Sequence, residues 1–202
     1  MDIVGLQSQL PSLGSALDFR RMMMSDNKKG QAELYALFEA NGIAYTHNTH
    51  PPLFTVDQSK ELRGDLPGAH VKNMFLKDKK SQLWLVTCME YRQIRIRDLE
   101  KQIGAAKSSF GKPELLWATL GIKPGAVSPF GLINDTDHAV RVVLDQQMLE
   151  QDPINAHPLH NEATTTVRSA DFRRFFEITG HKPVVVDFDA LEELERVRAA
   201  EA

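Results

Sequence analysis

Two polar residues precede an apolar run that is typical of a strand entering a hydrophobic core. The run is Met74-Phe75-Leu76, and Lys72 and Asn73 come directly before it. Side chains alternate faces along a strand, so Lys72 shares a face with Met74 and Leu76, whereas Asn73 shares the other with Phe75. An ammonium and an amide at this point are candidates for a ligand cleft. The plainer interpretation is a polar strand end, with the lysine reaching solvent.

The stretch GAVSPFG, residues 125–131, has the composition of a ligand loop. Gly125 and Gly131 allow close backbone approach, and Pro129 fixes the path of the chain. Exposed backbone N–H groups in such a loop can hold a carbonyl oxygen or an oxyanion. Ser128 lacks the G-x-S-x-G context of a nucleophile, so we expect a turn or hydroxyl-donor role for it. Turns that link strands often have a similar composition.

Two pairs of histidines have the spacing H-x-x-H, namely His47/His50 and His157/His160. Such pairs bind metals mostly on helices, where residues three or four apart share a face. His50 and His157 each precede a proline, which favours extended geometry, so we expect no metal site. His157 is a candidate pocket residue because Pro158 restrains it, although a loop that satisfies its own backbone is the plainer interpretation.

Motifs for nucleotide binding and covalent catalysis are missing from the sequence. There is no P-loop and no G-x-G-x-x-G fingerprint. The single cysteine, Cys88, ends the apolar run LWLVTC, which favours a buried, unreactive thiol. One cysteine cannot form an internal disulfide, so a reducing, cytoplasmic setting is expected. No run of about 18 apolar residues predicts a membrane span.

The charge of the chain is unevenly distributed. The 202 residues carry a formal net charge of −3. Residues 60–112 hold 12 Lys and Arg against 6 Asp and Glu, whereas residues 113–202 hold 8 against 15. This asymmetry favours one basic face on an acidic body, with uneven but solvated surface charge as the alternative.

Length and composition fit a single globular domain. Residues 1–27 are expected to be a poorly ordered extension or an over-called start, because Met22, Met23 and Met24 offer alternative start sites. Residues 28–202 then form the domain.

Hydrophobic periodicity predicts helices and strands in irregular order. Helices are expected at QAELYALFEANG, TVDQSKELRG, LEKQIG, KPELLWATLG and SADFRRFFEITG, with Asp98 capping the third and Ser169 the fifth. Strands are expected at IAYTHNTH, VKNMFL, LWLVTC, GAVSPFGLIN, AVRVVLD, ATTTV and PVVVDF, with QIRIR as a candidate further strand. VKNMFL and LWLVTC should form a hairpin. About seven strands and five helices imply an α+β or mixed α/β fold, without the strict alternation of a doubly wound sheet.

Several motifs occur together in the order and spacing of one known family. They include HPPLFTV, GAHVKNMFLKDKKSQLWLVT, LGIKPGAVSPFGLIND, DPINAHPLHNEATTTV and TGHKPVVVDF. From about residue 31 to 189 the chain resembles the YbaK/ProX superfamily of free-standing aminoacyl-tRNA deacylases, relatives of the editing domain of bacterial prolyl-tRNA synthetase. Lys72 followed by Asn73, and the element HPLxN from His157 to Asn161, resemble the ProX branch, which clears alanine from proline tRNA.

The resemblance implies a mixed sheet curled into a partial barrel, surrounded by helices. It implies no cofactor, no metal and no membrane. The implied partner is the acceptor end of a mischarged proline tRNA, with prolyl-tRNA synthetase as a candidate second partner. Alanine is smaller than proline, and one missing methylene gives a synthetase only about 1–3 kcal/mol of discrimination, so a second, smaller pocket is needed.

Residue roles are likewise implied by the resemblance. Lys72 would bind the terminal phosphate or orient the terminal adenosine, and Asn73 would hold the aminoacyl group. N–H groups from Gly125 to Ser128 would hold the carbonyl oxygen of the transition state, and a ribose 2′-OH would activate water. The expected lining of the amino-acid pocket is His157, Phe54, Met74, Pro129 and Phe130.

Three alternatives stay open at this stage. The same fold can act on tRNA charged with cysteine or serine. The protein can also be a non-catalytic module that binds tRNA or a synthetase. A metal-dependent hydrolase is the third.

Overall fold

The computed structural model describes residues 28–52 and 66–200. The strands in this part of the chain are β1 Tyr45–Thr49, β2 Ala69–Asp78, β3 Leu83–Met89, β4 Ser108–Phe110, β5 Val140–Asp145, β6 Ile154–Ala156, β7 Ala163–Val167 and β8 Val184–Val186. The α-helices are α1 Gln31–Ala40, α2 Ile96–Ile103, α3 Pro113–Leu120, α4 Gln146–Leu149, α5 Ser169–Ile178 and α6 Phe188–Ala200, and a 3-10 helix spans Pro129–Asn134.

The eight strands form one mixed sheet that does not close into a barrel. Their spatial order is β1-β7-β6-β2-β3-β5-β8, and β4 also pairs with β2. The pairs β2–β6, β3–β5 and β5–β8 are parallel, whereas β1–β7, β6–β7, β2–β3 and β2–β4 are antiparallel. The predicted mixed α/β fold is therefore confirmed.

Strand β2 is the central element of this sheet. Its first residues pair with β6, its last residues pair with β4, and Val71 to Lys77 pair with β3 in the predicted hairpin. Lys72 lies opposite Cys88, and Asn73 lies opposite Thr87. The start of β2 is therefore surrounded by other strands.

The two faces of β2 contribute to two separate hydrophobic cores. Phe75 packs in a core with Leu85 and with side chains from α1, α3 and α5. Leu76 packs in a second core with Val86 and with side chains from α2 and α6. The alternation expected from the sequence is confirmed, and it places Lys72 and Asn73 on opposite faces.

Two predicted strands are wrong. The stretch QIRIR is not a strand, because helix α2 begins at Ile96. Five residues are too few for periodicity to separate the two structures. The stretch GAVSPFGLIN forms a turn and the 3-10 helix, whose first residue, Pro129, has no N–H for a strand ladder.

The remaining differences are small elements and caps. Strands β4 and β6 have three residues each and helix α4 has four, and these short elements were missed. Helix α6 was missed too, although Asp187 marks its start by accepting from Ala190 N at 3.0 Å. Asp98 lies inside the first turn of α2 instead of capping it. The Ser169 hydroxyl donates to Leu149 O at 2.8 Å instead of capping α5.

Two predictions lie outside the described residues. These are the helix at TVDQSKELRG and the interpretation of residues 1–27. Among the described helices, none combines the length and the hydropathy that a membrane span requires.

Candidate active site

A small cleft opens at the start of β2, beside β6 and β7. Its volume is about 40 Å³. Its lining is predominantly polar and comprises His70, Val71, Asn73, Glu90, Asn155, Ala156, His157 and Thr164. Two of the residues singled out from the sequence, Asn73 and His157, thus lie in one cleft.

The amide of Asn73 is held from both sides. Its Nδ2 donates to Val127 O at 2.8 Å, and its Oδ1 accepts from the Thr87 hydroxyl at 2.8 Å. A carbonyl must accept and a hydroxyl can donate, so these partners fix the orientation of the amide. Asn73 therefore ties β2 and β3 to the loop at residues 125–128.

The ring of His157 has a defined tautomer when it is neutral. Its Nδ1 donates to Ala163 O at 2.9 Å, which leaves the lone pair on Nε2. Burial is the largest effect and lowers the pKa of His157. The hydrogen bond to Ala163 O raises this pKa by less than burial lowers it, and the neighbouring His50 and His160 lower it further. His157 is thus a neutral acceptor at pH 7.

His50 packs beside His157, with 6.2 Å between the ring centroids. Its Nδ1 donates to Pro51 O at 2.9 Å, and its Nε2 accepts from the Thr164 hydroxyl at 3.0 Å. Both ring nitrogens of His50 are occupied. This arrangement orients the ring and leaves no His50 nitrogen to bind a ligand.

A second polar network lies next to these rings. The Tyr35 hydroxyl bonds both His47 Nδ1 and the Thr165 hydroxyl at 2.7 Å, and His160 Nε2 donates to Gln31 Oε1 at 2.5 Å. His47 and His160 thus serve to join α1 to the sheet. Across residues 28–52 and 66–200, no three His, Cys, Asp or Glu side chains are grouped so as to hold a metal ion.

Lys72 lies on the face opposite to Asn73. Its Nζ donates to the backbone oxygen of Arg92. Met74 shares this face and packs against the second core, so it does not line the small cleft. Cys88 is also on this face, where it is fully buried, and burial raises the pKa of its thiol to about 12. Cys88 is therefore an unreactive thiol at neutral pH.

The loop predicted to bind the carbonyl oxygen adjoins the small cleft through Asn73. Gly125 has φ of 89°, a left-handed conformation that favours glycine. Ala126 N donates to Lys123 O at 3.1 Å. Ser128 is fully buried, and its hydroxyl accepts from Phe130 N at 3.3 Å, so it caps the 3-10 helix.

Two predicted pocket residues after this loop lie elsewhere. Pro129 is buried at the start of the 3-10 helix. Phe130 is fully buried in the first core, where its ring lies 5.3 Å from the rings of Phe38 and Phe175. Phe54 lies outside the described residues. Among the described residues of the expected lining, only His157 borders the small cleft beside Asn73.

A buried arginine network is the main feature that sequence reasoning missed. The Arg92 side chain is 1% exposed, and its Nε lies 3.0 Å from Asp145 Oδ2. It also bonds Gln147, Asp189 and Glu192, of which the last two belong to α6. All of these residues except Asp145 border a large cleft of about 580 Å³. Because Lys72 donates to the Arg92 oxygen, this network fixes the partner of Lys72.

The lowered pKa of His157 predicts a specific pH dependence of stability. Below pH 6.5 the unfolded chain binds a proton at residue 157 that the folded protein takes up less readily. The free energy of unfolding should therefore fall as the pH drops from 7.5 to 5.5. In His157→Gln this fall should be smaller, as measured by urea unfolding at both pH values.

His160 contributes to the same pH dependence of stability. Burial lowers its pKa too, so the variant should keep a residual pH dependence. An equal fall in the wild type and in His157→Gln would show that residue 157 is protonated alike in both states.

The chain is similar to several known proteins. A family described as the aminoacyl-tRNA editing domain matches residues 50–175. The prolyl-tRNA synthetase associated domain-containing protein 1 of Bos taurus is 38% identical over 167 residues, which cover 78% of this chain and 97% of the relative. The prolyl-tRNA editing protein ProX of Acetoanaerobium sticklandii is 32% identical over 140 residues, covering 69% of this chain and 85% of the relative.

The fold has a counterpart among solved structures. A proposed trans-editing enzyme for prolyl tRNA synthetase superposes with a TM-score of 0.60 at 18% identity, covering 79% of this chain and 96% of the other. The family match spans more than half of the chain and includes β2, the loop at residues 125–128 and His157. The chain therefore belongs to the aminoacyl-tRNA editing domain family.

Proposed function

We propose that this protein is a trans-acting deacylase that hydrolyses the ester of alanine mischarged onto proline tRNA. The observation that carries the proposal is the small cleft, where Asn73 and His157 meet in a chain of the editing-domain family. The ProX relative and the relative named for a prolyl-tRNA synthetase associated domain support proline tRNA as the carrier. A cytoplasmic location, with prolyl-tRNA synthetase as a second partner, fits such a reaction.

The size of the small cleft supports alanine as the preferred amino acid. Its volume is about 40 Å³, whereas pockets for drug-sized ligands have volumes of about 300–1,000 Å³. A methyl group is small enough for such a space, whereas a pyrrolidine ring would overlap the walls. Exclusion by overlap provides the discrimination that a synthetase pocket built for proline lacks.

The loop beside Asn73 is the proposed site for the carbonyl oxygen. Ala126 N–H is already bonded to Lys123 O. The Val127 carbonyl points at Asn73, so the trans peptide turns the Ser128 N–H away from that amide. The N–H groups of Gly125 and Val127 are therefore the proposed donors to the oxyanion.

Lys72 is the proposed contact to the terminal phosphate or adenosine. An ammonium has three donors, and one of them bonds the Arg92 oxygen. The other two can bind a phosphate oxygen on the face of β2 opposite the small cleft, so this contact is to a part of the substrate outside that cleft. The ribose 2′-OH next to the ester activates the attacking water, so the reaction needs no metal ion.

Deacylation of a panel of charged tRNAs tests this proposal. Proline tRNA charged with alanine should lose its amino acid fast in EDTA, whereas the prolyl ester should survive. Faster loss of a cysteinyl or seryl ester would identify cysteine or serine, instead of alanine, as the preferred amino acid. Loss of activity in EDTA that returns with a divalent metal would identify a metal-dependent hydrolase.

A further inference from the structure

Three exposed lysines line the outer edge of the sheet, where β2 pairs with β4. They are Lys77, Lys79 and Lys107, and we name them the lysine edge. Lys77 lies opposite Ser109 in the strand register. Lys79 N donates to Lys107 O at 3.0 Å, so the backbone pairing continues beyond the strands. The three cations are therefore close neighbours on one surface.

The lysine edge shares a face of the sheet with the small cleft. Asn73 and Lys77 are four positions apart on β2, so their side chains point the same way. Four residues of a strand span about 13 Å. A ligand that contacts both sites must therefore be at least that long and pass over the side chains that cover Phe75, which lies between them and is buried in the first core.

The acidic side chains nearest in sequence are engaged elsewhere. Asp78 points to the opposite face, where it is buried and accepts from Trp84 Nε1 at 3.4 Å. It also accepts from the backbone N of Lys80 at 2.8 Å and of Gln82 at 3.0 Å, which fixes the turn after β2. Glu100 bonds the Ser108 hydroxyl at 2.7 Å. The turn that presents these lysines is therefore well defined.

The lysines of this edge are unused within the part of the chain that the structure describes. Lys77, Lys79 and Lys107 form no ion pair with any residue in 28–52 or 66–200. Other basic residues in the same half of the chain are paired. Arg92 forms ion pairs with carboxylates, and Lys101 pairs with Asp98 at 3.4 Å. As far as the described residues go, the lysine edge is thus available to an external anion.

We propose that the lysine edge binds the phosphate backbone of the RNA whose aminoacyl end occupies the small cleft. This inference rests on the proposed function, because it takes the substrate to be a tRNA. Regularly spaced phosphates match a row of exposed ammonium groups, and each contact releases counterions from the RNA. The lysine edge thus holds the body of the substrate while the loop at 125–128 holds its reactive end.

Charge reversal at two of these positions tests the inference. The variant is Lys77→Glu with Lys107→Glu, and its probe is an uncharged, fluorescently labelled proline tRNA transcript. Arg174→Glu with Lys182→Glu is the matched control, since both residues are exposed, carry the same charge and lie on α5 or just before β8. We expect about tenfold weaker binding of the first variant and a salt slope smaller by about 2, whereas the control binds like the wild type.

Hydrolysis separates this inference from the proposed function. The first variant should lose about tenfold in kcat/KM on alanyl-tRNA but keep the wild-type rate on 3′-alanyl-adenosine, which lacks the RNA backbone. Equal tRNA binding by the variant and its control, or an equal loss of kcat/KM on both esters, would contradict the proposed role of the lysine edge. If the wild type cleaves neither ester, the proposed function fails, and the binding experiment still decides the fate of the lysine edge.

Discussion

Replacing Arg92 with methionine is expected to lower the free energy of unfolding by about 3–5 kcal/mol. The change removes the cation from Asp145, which is fully buried and would keep its charge without a partner. Asp189 and Glu192 would lose the same partner, so α6 would lose part of its attachment to the sheet. Urea unfolding at pH 7.5, followed by circular dichroism, measures the difference.

A second substitution and a surface pair control this experiment. Adding Asp145→Asn to Arg92→Met removes the stranded charge, so the double variant should be more stable than the single one. Glu193→Gln breaks the exposed pair with Arg196 and should cost less than about 1 kcal/mol. A cost below that value for Arg92→Met would show that the buried network adds little to stability.

Replacing Asn73 with aspartate is expected to lower kcat/KM for alanyl-tRNA by about 100-fold. The carboxylate can still accept from the Thr87 hydroxyl, but it would face the Val127 oxygen without a hydrogen to donate. The repulsion would shift the loop whose N–H groups are proposed to hold the carbonyl oxygen. Single-turnover kinetics should place the loss in the chemical step, with tRNA affinity nearly unchanged.

Asn134→Asp is the matched control for this variant. The Asn134 amide also bridges chain segments, since its Nδ2 donates to Lys29 O and Leu120 O at 3.0 Å. Asn134 does not line the small cleft. The control should therefore lose stability while the folded enzyme keeps its rate. An equal loss of kcat/KM in the two variants would assign the Asn73 effect to general destabilisation.

Local patterns predicted much of the fold. The alternation around Asn73 was confirmed because each face of β2 packs in its own core, which fixes the register of the strand. Sequence patterns failed in short segments, where tertiary contacts decide the conformation of the chain. At QIRIR, the neighbouring Arg92 is drawn to Asp145, and Gln93 N donates to Glu192, so the chain turns before helix α2 begins.

The candidate site was only partly predictable. Motifs pointed to Asn73 and His157, but their convergence depends on pairings between distant parts of the chain. Asn73 and Val127 are 54 positions apart, and Arg92 and Asp145 are 53 apart, so no local spacing reveals either contact. Phe130 was expected to line the pocket, but an aromatic residue beside a glycine suits a pocket or a core equally well.

The most direct test of the account is single-turnover deacylation of alanine-charged proline tRNA in EDTA. The wild type and Lys72→Ala are compared at saturating enzyme, and tRNA binding is measured in parallel. The account predicts fast release of alanine by the wild type and a rate about 100-fold lower in the variant. Release no faster than spontaneous hydrolysis, by a wild type that still binds the tRNA, would contradict the catalytic claim and leave a tRNA-binding module.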